Sequence, residues 1–341
     1  MAHAKDIASI KDVAIRADVS VMTVSRAIND PKKLKPDTLK KVQQAIEELG
    51  YVPDYSARKV RNGNKTKTIG VLAFDTATSP FSVELNLSIE ETARAHGWGC
   101  FVINMFKDNN PDYMVDMLLS YRPEGIIVSS MGLKFVKLPK KLLDYRCVFA
   151  NCECIEKNFA CYEPDDEQGQ YKIVKELLKA GYRKPLCLHL PTLLIATPRR
   201  RYGLERACRE FGIDPNQLIH YHMEVGDEHY RDMPSLVLKH IKNGKPQFDS
   251  VICGNDRIAF MVYQTLLTEG FKIPQDIGVI GYDNLVGIGD LFMPALSTVQ
   301  IPHYEIGRLS TLHIINNLEI NNKVMVDSPC LIRSSFRKIE Q

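Results

Sequence analysis

From residue 68 onward, short apolar runs alternate with amphipathic stretches, and few folds accommodate that alternation. TIGVLAF, CFVIN, GIIVSS, CVFAN, PLCLHL, SVICGN and IGVIGYD are five to seven residues long and apolar at successive positions. Runs too short for a buried helix and apolar on both faces are expected of strands covered on both sides. Between them, VELNLSIEETARAHG, YKIVKELLKAGY, RYGLERACREFG and DRIAFMVYQTLLTEG carry apolar residues at helical spacing. The alternation predicts parallel sheets flanked by helices. About 270 residues are too many for one such layer set, so two lobes are expected, with a cleft at the carboxyl ends of their strands.

The residues that close these runs bear on what the cleft holds. Neither G-x-G-x-x-G nor G-x-x-x-x-G-K-[ST] occurs, so a nucleotide cofactor has no support. Polar residues stand at four strand ends: Asp75, Asn151, Asn255 followed by Asp256, and Asp283 followed by Asn284. Any one alone would serve as a helix N-cap or turn residue. Their recurrence at four strand ends suits the hydroxyl groups of a neutral sugar.

The first 68 residues differ in charge and pattern. They hold 14 Lys and Arg against 8 Asp and Glu, whereas the remainder holds 30 against 33. A basic segment on a mildly acidic body predicts contact with a polyanion. The segment also has a fold of its own. Ser9 and Asp12 form a capping-box pattern ahead of a helix whose inner face is Ile10, Val13, Ala14 and Ala17. Ser20 can cap a second helix from Val21, with Val24, Ala27 and Ile28 inward. A third begins at Pro36 and Asp37, carries Leu39, Val42, Ile46 and Leu49, and stops at Gly50. Two short helices joined by a tight turn make a helix-turn-helix, whose second helix enters the DNA major groove. Val21 and Met22 are then expected against thymine methyl groups and Arg26 against guanine, with Ser20, Thr23 and Ser25 offering hydroxyls to phosphates. The following YVPDYSARKVRNGNKTKT holds a helix too short to stand alone in water, so it must form conditionally or be held by a partner.

IKDVAIRADVSVMTVSRAIN, followed by YVPDYSARKVR and TKTIGVLAFD, resembles the LacI-type family of bacterial transcription regulators, and the resemblance runs along essentially the whole chain. It implies three units: a helix-turn-helix domain over 1–53, a hinge helix and linker over 54–67, and a two-lobed, periplasmic-binding-protein-like effector and dimerisation domain over 68–341. By the resemblance, Val60, with Ala57 beside it, is the wedge that a folded hinge helix inserts into the minor groove, where the family usually has Leu. Within PRRRYGLERA it selects Arg200, three before Gly203, as a ligand-binding residue. It places Asn255 and Asp283 on sugar hydroxyls, Asn151 where a family member has Asp, and Phe81 opposite them. The family often stacks an aromatic on the ligand where this chain has Glu228, which leaves His229, Tyr230 or no stack. The partners so implied are double-stranded operator DNA, a second copy of the chain, and sucrose, fructose or glucose as effector.

Three rivals stay open at this level. A regulator of the same fold could bind DNA more tightly with its ligand, a different sugar or a sugar phosphate, because sequence does not set the sign of the coupling. An uptake-system sugar-binding protein would need an export signal and no helix-turn-helix. An enzyme could use Asp75 and Asp283 as acid and base, but the DNA-binding segment would then be unexplained. No run of 18 apolar residues occurs and the charged N-terminus has no signal-peptide core, so a cytoplasmic protein without membrane contact is expected. No heptad repeat follows CLIRSSFRKIEQ, which favours a dimer over a tetramer. The nine cysteines lie mostly in apolar runs and read as buried, reduced thiols. The spacing of Cys147, Cys152, Cys154 and Cys161 matches no zinc pattern, and His220, His222 and His229 read as surface histidines. No metal or cofactor is expected.

Overall fold

The computed structural model describes residues 8–51, 67–75, 80–106, 110–226, 230–285, 288–319 and 322–337. They fall into two compact units, one within residues 1–66 and the other within 67–341.

In the first unit, α1 (Ile10–Arg16), α2 (Val21–Asn29) and α3 (Pro36–Leu49) surround a core of Val13, Ala14, Ala17, Val24, Ala27, Val42 and Ala45. Small side chains dominate because the helices are short and must approach closely. The capping box at Ser9 and Asp12 is formed, and Ser20 caps α2 by accepting from the Thr23 backbone N–H. Asp18 turns the chain between α1 and α2 at φ 52, and Gly50 ends α3 at φ 60, a left-handed conformation that costs glycine nothing. Arg16 pairs with Glu48 across α1 and α3.

The second unit has two lobes, each a parallel sheet between helices. The first sheet contains β1 (Thr68–Phe74), β2 (Gly99–Met105), β3 (Gly125–Val136), β4 (Cys147–Cys154) and β5 (Ala160–Pro164), and it is completed late in the chain by β13 (Lys323–Val326). Its order is β13-β5-β4-β3-β1-β2. Alternate residues feed opposite faces: Ile69, Val71 and Ala73 pack under α4 (Pro80–Ala95) and α10 (His303–Ile315), while Leu72 packs with Val115 and Leu118 of α5 (Pro111–Ser120). The second sheet, ordered β11-β10-β6-β7, is built from β6 (Pro185–His189), β7 (Ile219–His222), β10 (Ser250–Cys253) and β11 (Gly278–Ile280). One face is covered by α6 (Asp166–Lys179) and α7 (Ala196–Glu210), the other by α8 (Met233–Leu238) and α9 (Asp256–Thr268). A two-residue hairpin, β8 (Ile241–Lys242) and β9 (Lys245–Pro246), lies between β7 and β10 in sequence.

The described chain passes between the lobes three times: from β5 into α6, from β12 (Thr298–Val299) into α10, and from β13 to β14 (Cys330–Leu331), which pairs with β12. Strands β5, β7 and β13 were not among the predicted runs. Edge strand β7 reads IHYH, whose alternating polar residues hide it from a search for continuous apolar runs. No described helix is long and apolar enough to cross a membrane. All nine cysteines are unpaired.

Candidate functional site

On α2 the outer face presents Met22, 70% exposed, and Arg26, also exposed. Val21 is placed differently from the expectation: it is half-buried and packs against the helical core, so less of it is available to a base edge. The Ser20 and Thr23 hydroxyls bond each other at 2.9 Å, and that bond uses one hydroxyl proton and leaves the other to donate. Ser25 is half-buried on the same helix. Ala57 and Val60 lie outside the described residues.

A cleft of about 570 Å³ opens between the lobes of the second unit, at the carboxyl ends of both sheets. Phe81, Asn151, Arg200, Asn255 and Asp283, five of the six residues expected there, line it. The sixth, Asp75, is not among the described lining residues; its carboxylate accepts from Lys134 Nζ at 2.9 Å.

Arg200 is held by three groups. Its Nε donates to Asp166 Oδ1 at 2.7 Å, its Nη1 donates to the Gly254 carbonyl at 2.8 Å, and its guanidinium lies 3.6 Å from the Tyr282 ring centre. Burial opposes the guanidinium charge, but Asp166 and Tyr282 outweigh it and hold the group charged. Neither bond uses Nη2, so a planar donor remains for a ligand. The placement depends on Gly203, one turn along α7, where an added Cβ would collide with the Glu167 carbonyl of α6. This close approach brings Arg200 onto Asp166.

Asp283 follows β11 at φ 100, and its Oδ1 is buried without a hydrogen-bond partner. Burial, and then the neighbouring Asp256 carboxylate, push its carboxyl well above the usual range. Asp256 itself is pushed up to about 6 by burial, although it accepts from Thr298 and from the Leu285 backbone N–H. A buried carboxyl oxygen without a partner is costly, and a ligand hydroxyl would relieve that cost. Asn255 is both a cap and a cleft residue: Oδ1 accepts from the Ile258 N–H that opens α9, and Nδ2 donates to the Tyr230 hydroxyl at 2.7 Å. Tyr230 lines the cleft, whereas Glu228 and His229 lie outside the described residues.

Opposite these groups the wall is mainly apolar. Strand β3 departs from register with β4, placing four residues between Ser129 and Lys134 against one between Ala150 and Cys152. The extra residues bring Met131 and Leu133 into the cleft beside Phe81 and Pro164. Asn151 stands there at φ 58, donating from Nδ2 to the Ser130 carbonyl at 3.1 Å.

Two cleft residues had no signal in the sequence. Asp166 pairs with Arg200, and its Oδ2 is buried and unpartnered. His303, the first residue of α10, is buried with an unpartnered Nδ1, and its ring lies 5.0 Å from that of Phe81. Burial pushes its pKa down to about 4, so the ring is neutral at pH 7. Behind Arg200, a cavity of about 10 Å³ lined by Gln170 and Thr197 is large enough for one water.

A helix-turn-helix unit followed by a two-lobed unit with a polar cleft is the pairing that comparison with known proteins returns. Residues 9–54 match the model of bacterial regulatory proteins of the lacI family, and residues 66–335 match that of periplasmic binding proteins and the sugar binding domain of the LacI family. The sucrose operon repressors of Escherichia coli and Shigella flexneri are each 49% identical over 330 residues, 96% of this chain and 100% of theirs. The PurR repressor of Vibrio vulnificus (strain CMCP6) is 30% identical over 98% of this chain and 100% of its own. Among solved structures, the lac repressor dimer bound to operator and an anti-inducer superposes with a TM-score of 0.78, at 19% identity, over 97% of this chain and 99% of that one. The chain therefore belongs to the LacI family of bacterial transcription regulators.

Proposed function

We propose that the protein represses a sugar-utilisation operon as a homodimer and leaves its operator when sucrose, or the fructose or glucose part of it, enters the cleft. The reading rests above all on the cleft of a DNA-binding chain: Arg200, fixed on Asp166, lines it together with Asp283, whose Oδ1 is buried and unsatisfied. Both suit a polyhydroxylated neutral ligand. The 49% identity to the sucrose operon repressors supports sucrose or one of its parts. Met22 and Arg26 are the outward side chains suited to reading operator base edges. A solvent-facing apolar patch of Phe260, Leu267, Leu291 and Met293 on the second lobe supports a second copy as partner, since Leu291 and Met293 are 74% and 84% exposed. Ligand weakens DNA binding only if it prefers the DNA-incompetent arrangement of the lobes. A coupling of roughly 1–3 kcal/mol corresponds to a 5- to 150-fold loss of operator affinity.

The test is operator binding at fixed salt, with the DNA upstream of the protein's own gene, while sucrose, fructose and glucose are titrated. Release by one of them, with loss of specific binding in Arg26→Ala, is the expected result. Tighter binding would make the ligand a corepressor. Specific binding that ignores all three sugars would overturn the effector assignment.

A further inference from the structure

The histidines of IHYH do not stand as isolated surface residues, because the second sheet brings them beside a cysteine and a histidine from another strand. Parallel strands β6 and β7 pair Cys187 with His220 and His189 with His222. Side chains two apart on a strand share a face, and so do direct neighbours on adjacent strands. All four therefore belong to one face of the sheet. The Sγ of Cys187 and ring nitrogens of His189 and His220 lie within 4.8 Å of one another.

The hydrogen bonds orient the lone pairs. The Pro215 carbonyl can only accept, so the 3.0 Å contact from His220 Nε2 places the proton of that ring on Nε2. His220 Nδ1 is then a bare acceptor, 2.8 Å from His189 Nε2, which must be the donor. A histidine that gives one N–H to a backbone carbonyl and turns its other nitrogen toward neighbouring donor atoms has the outer-shell arrangement of a metal ligand. His222 Nδ1 contacts the Leu190 carbonyl at 3.2 Å, and its ring stacks on His189 at 4.8 Å, which keeps the rings in place. Arg201, a cation nearby, is paired with Glu205 at 2.9 Å. Because β7 is the sheet edge and His220 is half-exposed, solvent has a route in.

We propose that Cys187, His189 and His220 bind a thiophilic transition-metal ion, with Zn²⁺ as the probe ion. One thiolate and two imidazoles suit Zn²⁺ and exclude Mg²⁺ and Ca²⁺, which take oxygen ligands. A tetrahedral zinc site holds its ligand atoms roughly 3.3–3.5 Å apart, so closure needs side-chain shifts of about 1 Å. Binding releases the thiol proton to solvent, and the proton on His189 moves from Nε2 to Nδ1, so both rings ligate as neutral imidazoles. Three protein ligands leave a fourth position for water. The site adjoins the cleft, since Leu190 and Pro191, directly after β6, line it.

The experiment uses the purified, reduced, chelator-treated full chain and titrates it with Co²⁺, whose thiolate complex absorbs strongly in the near ultraviolet. One Co²⁺ per chain with that band, displaced by Zn²⁺ and not by Mg²⁺, is expected. Cys187→Ser should abolish the band, and His220→Gln at the half-exposed edge should weaken binding at least tenfold, with circular dichroism confirming that each variant folds. Should Cys187→Ser not fold, His220→Gln alone decides. No saturable binding, or full-strength binding that survives both substitutions, would overturn the proposal.

Discussion

The two walls of the cleft are built differently. The second-lobe wall is polar and braced: Arg200 is tied to Asp166, Gly254 and Tyr282, and Asn255 is tied to Tyr230 and the start of α9. The first-lobe wall is largely apolar, with Phe81, Met131, Leu133 and Pro164, and part of it comes from the register break in β3. A sugar offers both kinds of surface, hydroxyls at its edges and C–H groups on its faces. The polar wall is preassembled for the edges and so loses little on binding. The apolar wall supplies area, which discriminates weakly between sugars of similar size. Arg199 of α7 joins the two, bridging to Glu163 at 2.5 Å and Glu153 at 2.8 Å in the first lobe.

Breaking the brace should have the largest effect. Arg200→Ala leaves Asp166 buried without its cation, which is expected to cost about 3–5 kcal/mol in urea unfolding and to abolish effector binding. A loss under about 1 kcal/mol would mean that the polar wall is not structural.

Next comes His303, which stands between the walls. Its pKa is about 4 in the fold against 6.5 for the free side chain. Between those values the unfolded chain binds the extra proton, so this residue's contribution is present above pH 6.5 and lost as pH falls toward 4. The loss is roughly 3 kcal/mol at 1.36 kcal/mol per pKa unit. Asp256, raised to about 6, acts in the opposite direction, stabilising the fold as pH falls through the same range. The useful measurement is therefore the difference between the protein and His303→Gln: on going from pH 7 to pH 4.5, the denaturant midpoint should fall more, or rise less, in the unaltered chain. Equal changes would show that His303 titrates normally.

Asp283→Ala sharpens the contrast by removing a proposed ligand group that has a buried, unpartnered Oδ1 and is tied only to the Asp256 backbone N–H. Operator affinity without effector should be unchanged. Calorimetric affinity for the active sugar should fall about 10- to 100-fold, the equivalent of roughly 1.4–2.8 kcal/mol. Unaltered binding would remove Asp283 from the site. The smallest effect is expected on the apolar wall: Phe81→Leu keeps its apolar character and loses the ring contact with His303, for about 0.5–1.5 kcal/mol of stability and less than fivefold in affinity. A larger loss there than in Asp283→Ala would reverse the comparison.

How legible the site was depended on how far its interactions reach along the chain. Asn255 was readable because a cap works within three residues, and Asp283 because it ends an apolar run. Arg200 came from family likeness; nothing local separates it from Arg199 and Arg201, and its distinguishing partner lies 34 residues earlier on another helix. Asp75 carried the same strand-end signal as Asp283, yet Lys134, 59 residues away, takes its carboxylate. Val21 sat on the predicted outer face, but three short helices leave so small a core that a flanking residue is drawn toward it.

By itself the sequence determined the division into a basic helical unit and a larger α/β body, the strands covered on both faces, and the helix starts at Ser9, Ser20 and Asn255. Periodicity, capping and charge act over a few residues and survive in the linear text. Only the tertiary structure decided which carboxylates face the cleft, that His303 closes against Phe81, and that His189 meets His220. Those contacts join segments that are distant in sequence, and helix crossing and strand register, set by packing across each whole lobe, bring them together.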